Sequence, residues 1–104
     1  MRGDVYQLKA PRDAKGHERR GNRYGVVVQS DLLPLSTWLV APTSTSARPA
    51  SFRPEIEIDG RAALVLVEQV AAVDPERLGG LVGHVSQREM ADINRALRVV
   101  LELT

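Results

Sequence analysis

The sharpest pattern in the chain is the strict alternation Glu55-Ile56-Glu57-Ile58, which puts two isoleucines on one face of a strand and two glutamates on the other. Asp59-Gly60 follows, a pair suited to the positive backbone angles of a two-residue hairpin turn, and the apolar run Ala62 to Val67 then reads as the returning, buried strand. Two more strands are predicted near the start. Val5 to Leu8 stops short of Pro11, and Tyr24 to Gln29 carries Val26-Val27-Val28, a β-branched run suited to burial on both faces. Between them, Arg12 to Asn22 is polar and glycine-containing and reads as a long exposed loop. Trp38 to Ala41 is a further strand, and the Ser/Thr-rich stretch Thr43 to Ser51, interrupted by Pro49, has no helical period.

Helical signals are confined to the last third. Asp74-Pro75-Glu76-Arg77-Leu78 predicts a single turn capped by Asp74 with Pro75 at its first position, ahead of Gly79-Gly80 and a strand over Leu81 to Val85. Ser86-Gln87-Arg88-Glu89 is a capping-box sequence, and Met90, Ile93, Leu97, Val100 and Leu101 then recur at helical spacing over about four turns. Short strands with one closing helix predict a small, strongly curved β barrel with the helix packed on it.

At 104 residues the chain has room for one core, so residues 1–104 are expected to form a single domain. Its only aromatic residues are Tyr6, Tyr24, Trp38 and Phe52, so that core must be built from Val, Leu, Ile and Ala, and a thin core favours self-association. With no cysteine, disulfides, thiolate metal ligands and a cysteine nucleophile are excluded; His17 and His84 alone do not complete a typical zinc site. No apolar run approaches the length that spans a bilayer and Met1-Arg2-Gly3-Asp4 opens no signal-peptide core, so a soluble, cytoplasmic protein is expected.

A net charge of +1 gives no global attraction to nucleic acid, but Arg12, Lys15, Arg19, Arg20 and Arg23 face only Asp13 and Glu18 within the first long loop. The segments Arg2-Gly3-Asp4-Val5-Tyr6, Gly16-His17-Glu18-Arg19-Arg20-Gly21-Asn22-Arg23 and Val26-Val27-Val28-Gln29-Ser30-Asp31 resemble, in order and spacing, the opening of a MazF/PemK-type toxin. Val40-Ala41-Pro42-Thr43, the strand end Leu66-Val67-Glu68-Gln69-Val70 and the capped last helix extend that resemblance over nearly the whole chain.

The resemblance implies an SH3-like barrel, a homodimer, and metal-independent, cofactor-free cleavage of single-stranded RNA at short preferred sequences, held in check by an antitoxin with an acidic, disordered tail. It also implies roles. Arg23, closing the first loop, and Thr43, after the third strand, match catalytic positions, and Glu18 matches the loop glutamate. Phe52, Glu68 and Gln69 match positions lining the RNA groove, with His17, Arg20, Tyr24 and Ser44 as further substrate contacts. Three departures stand out: Tyr24 where proline is usual, His17 where serine is common, and a tight Asp59-Gly60 connection along one wall of the groove.

RNA cleavage of this kind uses the ribose 2′-hydroxyl as nucleophile, so the site must accept its proton, stabilise a charged phosphorane and protonate the leaving 5′-oxygen. Arginine suits the middle task because its donor fork matches phosphate oxygens, and Thr43 offers a hydroxyl to the same oxygens. Glu18 is the more natural base, with His17 as the alternative, since a guanidinium keeps its proton. Plainer readings stand beside these: Arg23 as a solvated loop charge, Thr43 as a strand-end hydroxyl, His84 as structural, Phe52 as packing, and Glu68 as the partner of Arg61 or Arg77. Two rival functions also remain, a DNA gyrase poison of the same fold and a non-catalytic RNA- or peptide-binding module.

Overall fold

The structure is a computed structural model and describes residues 1–9 and 23–103. Seven strands occur there: β1 (Asp4–Leu8), β2 (Arg23–Val27), β3 (Trp38–Ser44), β4 (Glu55–Ile58), β5 (Arg61–Val65), β6 (Ala71–Val73) and β7 (Leu78–His84). A single α-helix, α1 (Gln87–Leu101), closes the chain, and one-turn 3₁₀ helices occupy Val67–Gln69 and Pro75–Arg77. All the pairings are antiparallel, in the order β4-β5-β3-β2-β1-β7, with β6 added to β3. The fold is therefore mainly β with one C-terminal helix, a curled antiparallel sheet forming a half-barrel.

The curl is concentrated in β3. Its first part pairs with β2 and β6, through Val40 opposite Val27 and Ala71, while Thr43 and Ser44 pair with Val65 and Leu64 of β5. One strand thus belongs to both halves of the sheet, turning at Pro42, whose ring carries no N–H for a ladder and is suited to such a bend. The Pro42 carbonyl instead accepts from Leu66 N–H at 2.8 Å, fixing the point where the chain leaves β5.

Val5, Val26, Val28, Ala41, Ile56, Ile58, Ala63, Val65, Val67, Val85, Ile93 and Ala96 form the core, so aliphatic side chains do fill it, with Tyr24 and Phe52 packed against its border. The β4–β5 hairpin turns as expected, with Asp59 at φ 52° and Gly60 at φ 79°. Ser86 and Glu89 make both bonds of the capping box, and Glu89 extends its second oxygen to the Glu57 N–H at 2.8 Å, tying α1 to β4. Arg2 fastens the other end of this layer, donating to the Val28 carbonyl and to Asn94 Oδ1.

Several expectations need correction. β3 runs on through Thr43 and Ser44, because pairing with β5 draws a polar stretch into the sheet. β5 ends at Val65, and Val67, Glu68 and Gln69 form a 3₁₀ turn rather than strand. β7 begins at Leu78 and takes in Gly79-Gly80, β6 was not foreseen, and Leu101 lies off the buried face of α1, where Ile93 and Ala96 are the enclosed residues. The Arg12–Asn22 loop lies outside the described residues. Among those described, no helix is long and apolar enough to cross a membrane.

Candidate functional site

A cavity of about 620 Å³ lies where β2, β3 and the β4–β5 hairpin converge. Arg23 and Tyr24 enter it from the start of β2, Thr43 and Ser44 from the end of β3, and Thr45 and Ser46 from the turn beyond. Ile58, Asp59, Arg61, Ala62 and Ala63 complete the wall from the hairpin. The β2–β3 register explains the first convergence. Gly25 faces Pro42, so one step further places Tyr24 beside Thr43, and Thr43 Oγ1 donates to the Tyr24 carbonyl at 3.1 Å.

The chemistry of the lining is anionophilic. Among the described lining residues, Arg23 and Arg61 contribute two guanidinium groups against the one carboxylate of Asp59, and residues 43–46 all carry hydroxyls. Guanidinium forks and hydroxyl donors are the protein groups best matched to phosphate oxygens. The Ser44 oxygen is itself an acceptor for the Ser46 and Ala47 N–H groups, at 3.1 and 2.9 Å, which folds the chain back sharply after β3.

A second cluster forms beyond that turn. Arg53 donates to Glu68 Oε2 through Nε and Nη2, at 3.1 and 2.6 Å, and through Nη1 to the Arg48 carbonyl at 3.0 Å. The same guanidinium carbon stands 5.7 Å from the centre of the Phe52 ring. Hydrogen bonding from Arg53 outweighs desolvation and holds the Glu68 carboxyl below its usual range. Phe52 and Glu68 are therefore joined by Arg53, with Gln69 next to Glu68 in the 3₁₀ turn. The partner of Glu68 is Arg53 and not Arg61 or Arg77.

The residues singled out from sequence thus divide three ways. Arg23, Tyr24, Thr43 and Ser44 share one cavity. Phe52, Glu68 and Gln69 are absent from its lining and belong to the Arg53 cluster or its neighbouring turn. His17, Glu18 and Arg20 lie outside the described residues. Thr43 sits within β3 and is 6% exposed, so its position is a strand wall, not a loop after the strand. His84 ends β7 and places Nδ1 2.8 Å from Asp4 Oδ1, a structural tie between β1 and β7.

Sequence reasoning left Thr45, Ser46, Asp59 and Arg61 of the cavity lining out of the site, and Arg53 out of the second cluster. Arg61 had a readable signal, since it directly follows the Asp59-Gly60 turn and so stands at the hairpin tip. Arg53 had none, because its partner is fifteen residues away in a turn that was expected to be strand.

Comparison with known proteins agrees with this architecture. A candidate toxin of Mycobacterium tuberculosis (strain ATCC 25618 / H37Rv) is 38% identical over 104 residues, covering 99% of this chain and 98% of its own length. Endoribonuclease EndoA of Bacillus subtilis (strain 168) is 29% identical over 110 residues, covering 98% and 94%. Among solved structures, an endoribonuclease in complex with its cognate antitoxin from a mycobacterial species superposes with a TM-score of 0.82 at 19% identity, over 100% of this chain and 96% of that one. Residues 1–101 match the family described as PemK-like, MazF-like toxin of type II toxin-antitoxin system, and the chain belongs to that family.

Proposed function

We propose that this protein is a toxin that cleaves single-stranded RNA by attack of a ribose 2′-hydroxyl on the adjacent phosphorus. One observation carries the proposal: Arg23 and Thr43, far apart in sequence, line one cavity with Arg61 and a row of hydroxyls, in a chain of this family. In the reaction the 2′-oxygen bonds to phosphorus as the bond to the 5′-oxygen breaks. The 2′-hydroxyl proton passes to a base and a proton is delivered to the leaving oxygen, giving 2′,3′-cyclic phosphate and 5′-hydroxyl ends.

In this reading Arg23 meets the phosphate, since negative charge grows on the non-bridging oxygens as the phosphorane forms, and a fixed cation stabilises that state more than the ground state. Thr43 stands beside it in the wall, and Glu18 serves as the base. Tyr24, Ser44, His17 and Arg20 hold RNA near the cut. Phe52, Glu68 and Gln69 grip it further along the groove, where an aromatic ring and a carboxylate can stack on and read an unpaired base. The assigned chemistry uses side chains alone, without a metal or cofactor.

The same basic lining suits an acidic, disordered antitoxin tail, which would compete with RNA for the guanidinium groups. The antitoxin complexes of structural neighbours support such a partner. The working form is a cytoplasmic homodimer of one-domain chains. The test is incubation of the purified protein with single-stranded RNA in EDTA. Cleavage leaving cyclic phosphate ends, lost in Arg23→Ala, is the expected result; intact RNA, or undiminished cutting by Arg23→Ala, would refute the proposal.

A further inference from the structure

Thr43 and Ser44 border the same cavity with their hydroxyls in opposite hydrogen-bonding states. Thr43 Oγ1 is 3.1 Å from the Tyr24 carbonyl oxygen, and a carbonyl only accepts, so the threonine proton is directed into the wall. Ser44 is the reverse case. Its oxygen accepts from Ser46 N–H at 3.1 Å and Ala47 N–H at 2.9 Å. A hydroxyl has one proton to donate and two acceptor positions, so both acceptor positions of Ser44 are filled, and among the described residues no acceptor takes its proton, which is left for a ligand.

The two N–H bonds also change what that proton can do. Electron density drawn from the oxygen by two donors polarises the O–H bond and strengthens it as a donor. Burial points the same way: Thr43 is enclosed at 6% exposure, whereas Ser44 is only half-buried. Arg23 and Arg61 stand in the same lining, so an anion attracted there meets the Ser44 hydroxyl already prepared to donate.

We infer that Ser44 supplies the hydroxyl that donates to a non-bridging oxygen of the scissile phosphate. Thr43 is a positioning residue that acts through the Tyr24 carbonyl on the strand end bearing Arg23. The inference rests on the ribonuclease reading of the cavity and refines it. No proton is transferred from Ser44: its hydrogen bond tightens as charge gathers on the phosphorane oxygens and relaxes when the 5′-oxygen departs.

The experiment is single-turnover cleavage of a short single-stranded RNA in all-oxygen form and with either phosphorothioate diastereomer at the cut linkage. Sulfur is a poor hydrogen-bond acceptor, so wild-type protein should be slowed by one diastereomer. Ser44→Ala should cut the all-oxygen RNA about 10²-fold more slowly, as for loss of one oxyanion donor, with KM little changed and the discrimination between diastereomers reduced. Ser44→Thr should recover most of the rate. Thr43→Val should be slower but keep the discrimination, because it removes a wall contact and not the donor.

Ser44→Ala that cleaves at the wild-type rate, or that is slow yet keeps full discrimination, would overturn the Ser44 assignment alone. Wild-type protein that leaves every RNA intact would overturn the ribonuclease reading and this assignment with it.

Discussion

Gly25 sits directly behind the cavity wall, at a point with no room for a side chain. It lies in β2 between Tyr6 of β1 and Pro42 of β3, directly after Tyr24, whose carbonyl accepts from Thr43. A Cβ built on it would stand 2.5 Å from Val40 Cγ1 and 3.1 Å from Leu8 Cδ2. Carbon atoms in contact prefer separations of roughly 3.5–4.0 Å, so Gly25→Ala is short of space by about 1 Å. Leu8 can yield by a rotamer change. Val40 cannot: it is β-branched, 2% exposed, and paired on both sides with Val27 and Ala71.

Overpacking of this kind costs about 1–3 kcal/mol, offset by the roughly 0.5–1 kcal/mol gained on replacing a glycine inside a strand. A net loss of about 1–2 kcal/mol follows, or roughly 5–15 °C in Tm for a domain of this size. Urea unfolding should show a lower midpoint with an unchanged slope. The discriminating variant is Gly25→Ala with Val40→Ala, where the smaller side chain frees the space. If overpacking against Val40 is the cause, the double variant will be about as stable as Val40→Ala alone; full additivity of the two losses would refute the reasoning.

Other outcomes follow from the same contacts. Ser86→Ala should cost about 1 kcal/mol as a lost helix cap, and Glu89→Ala more, because Glu89 accepts from both Ser86 and Glu57; equal losses in urea titrations would contradict this. Burial acts to raise the Asp4 carboxyl, but bonds from His84 and the N-terminal ammonium outweigh it and hold the group below 3.8. A depressed carboxylate contributes stability above its unfolded pKa that is lost as pH falls through the folded one, so Asp4→Asn should flatten the acid limb of stability below about pH 4. Arg53→Met should let the Glu68 carboxyl titrate at higher pH, observable by NMR, and lower stability by about 1–2 kcal/mol.

The parts of the fold that could be read from the sequence are those specified by neighbouring residues. The Asp59-Gly60 turn needs only its own backbone angles and the flanking alternation, and the start of α1 needs only Ser86 and Glu89. β6 is different. Ala71-Ala72-Val73 has no alternation of its own and becomes strand because the edge of β3 at Trp38 to Val40 is open to it. Thr43 and Ser44 read as loop because their hydroxyls favour turns, yet β5 pairs with both. Val67 shows the converse, an apolar residue that reads as buried strand and whose burial is met within a 3₁₀ turn.

The candidate site divides along the same line. Arg23 and Thr43 could be singled out by resemblance, and an antiparallel β2–β3 pair is enough to bring their strand ends together. The bonding states of Thr43 and Ser44 could not be foreseen, since two adjacent hydroxyls look alike until their partners are known. Arg53 likewise acquires meaning only once Phe52 and Glu68 are seen on either side of it.

The most direct measurement removes one oxygen atom from the substrate. A single-stranded RNA whose cut site has been mapped is synthesised with 2′-deoxyribose only at the nucleotide on the 5′ side of that linkage, and is incubated with the protein in EDTA. The account predicts that this RNA stays whole at that position while the all-ribose strand is cut to a 2′,3′-cyclic phosphate. Cleavage of the deoxy-substituted linkage at the same rate would mean that the neighbouring hydroxyl is not the nucleophile.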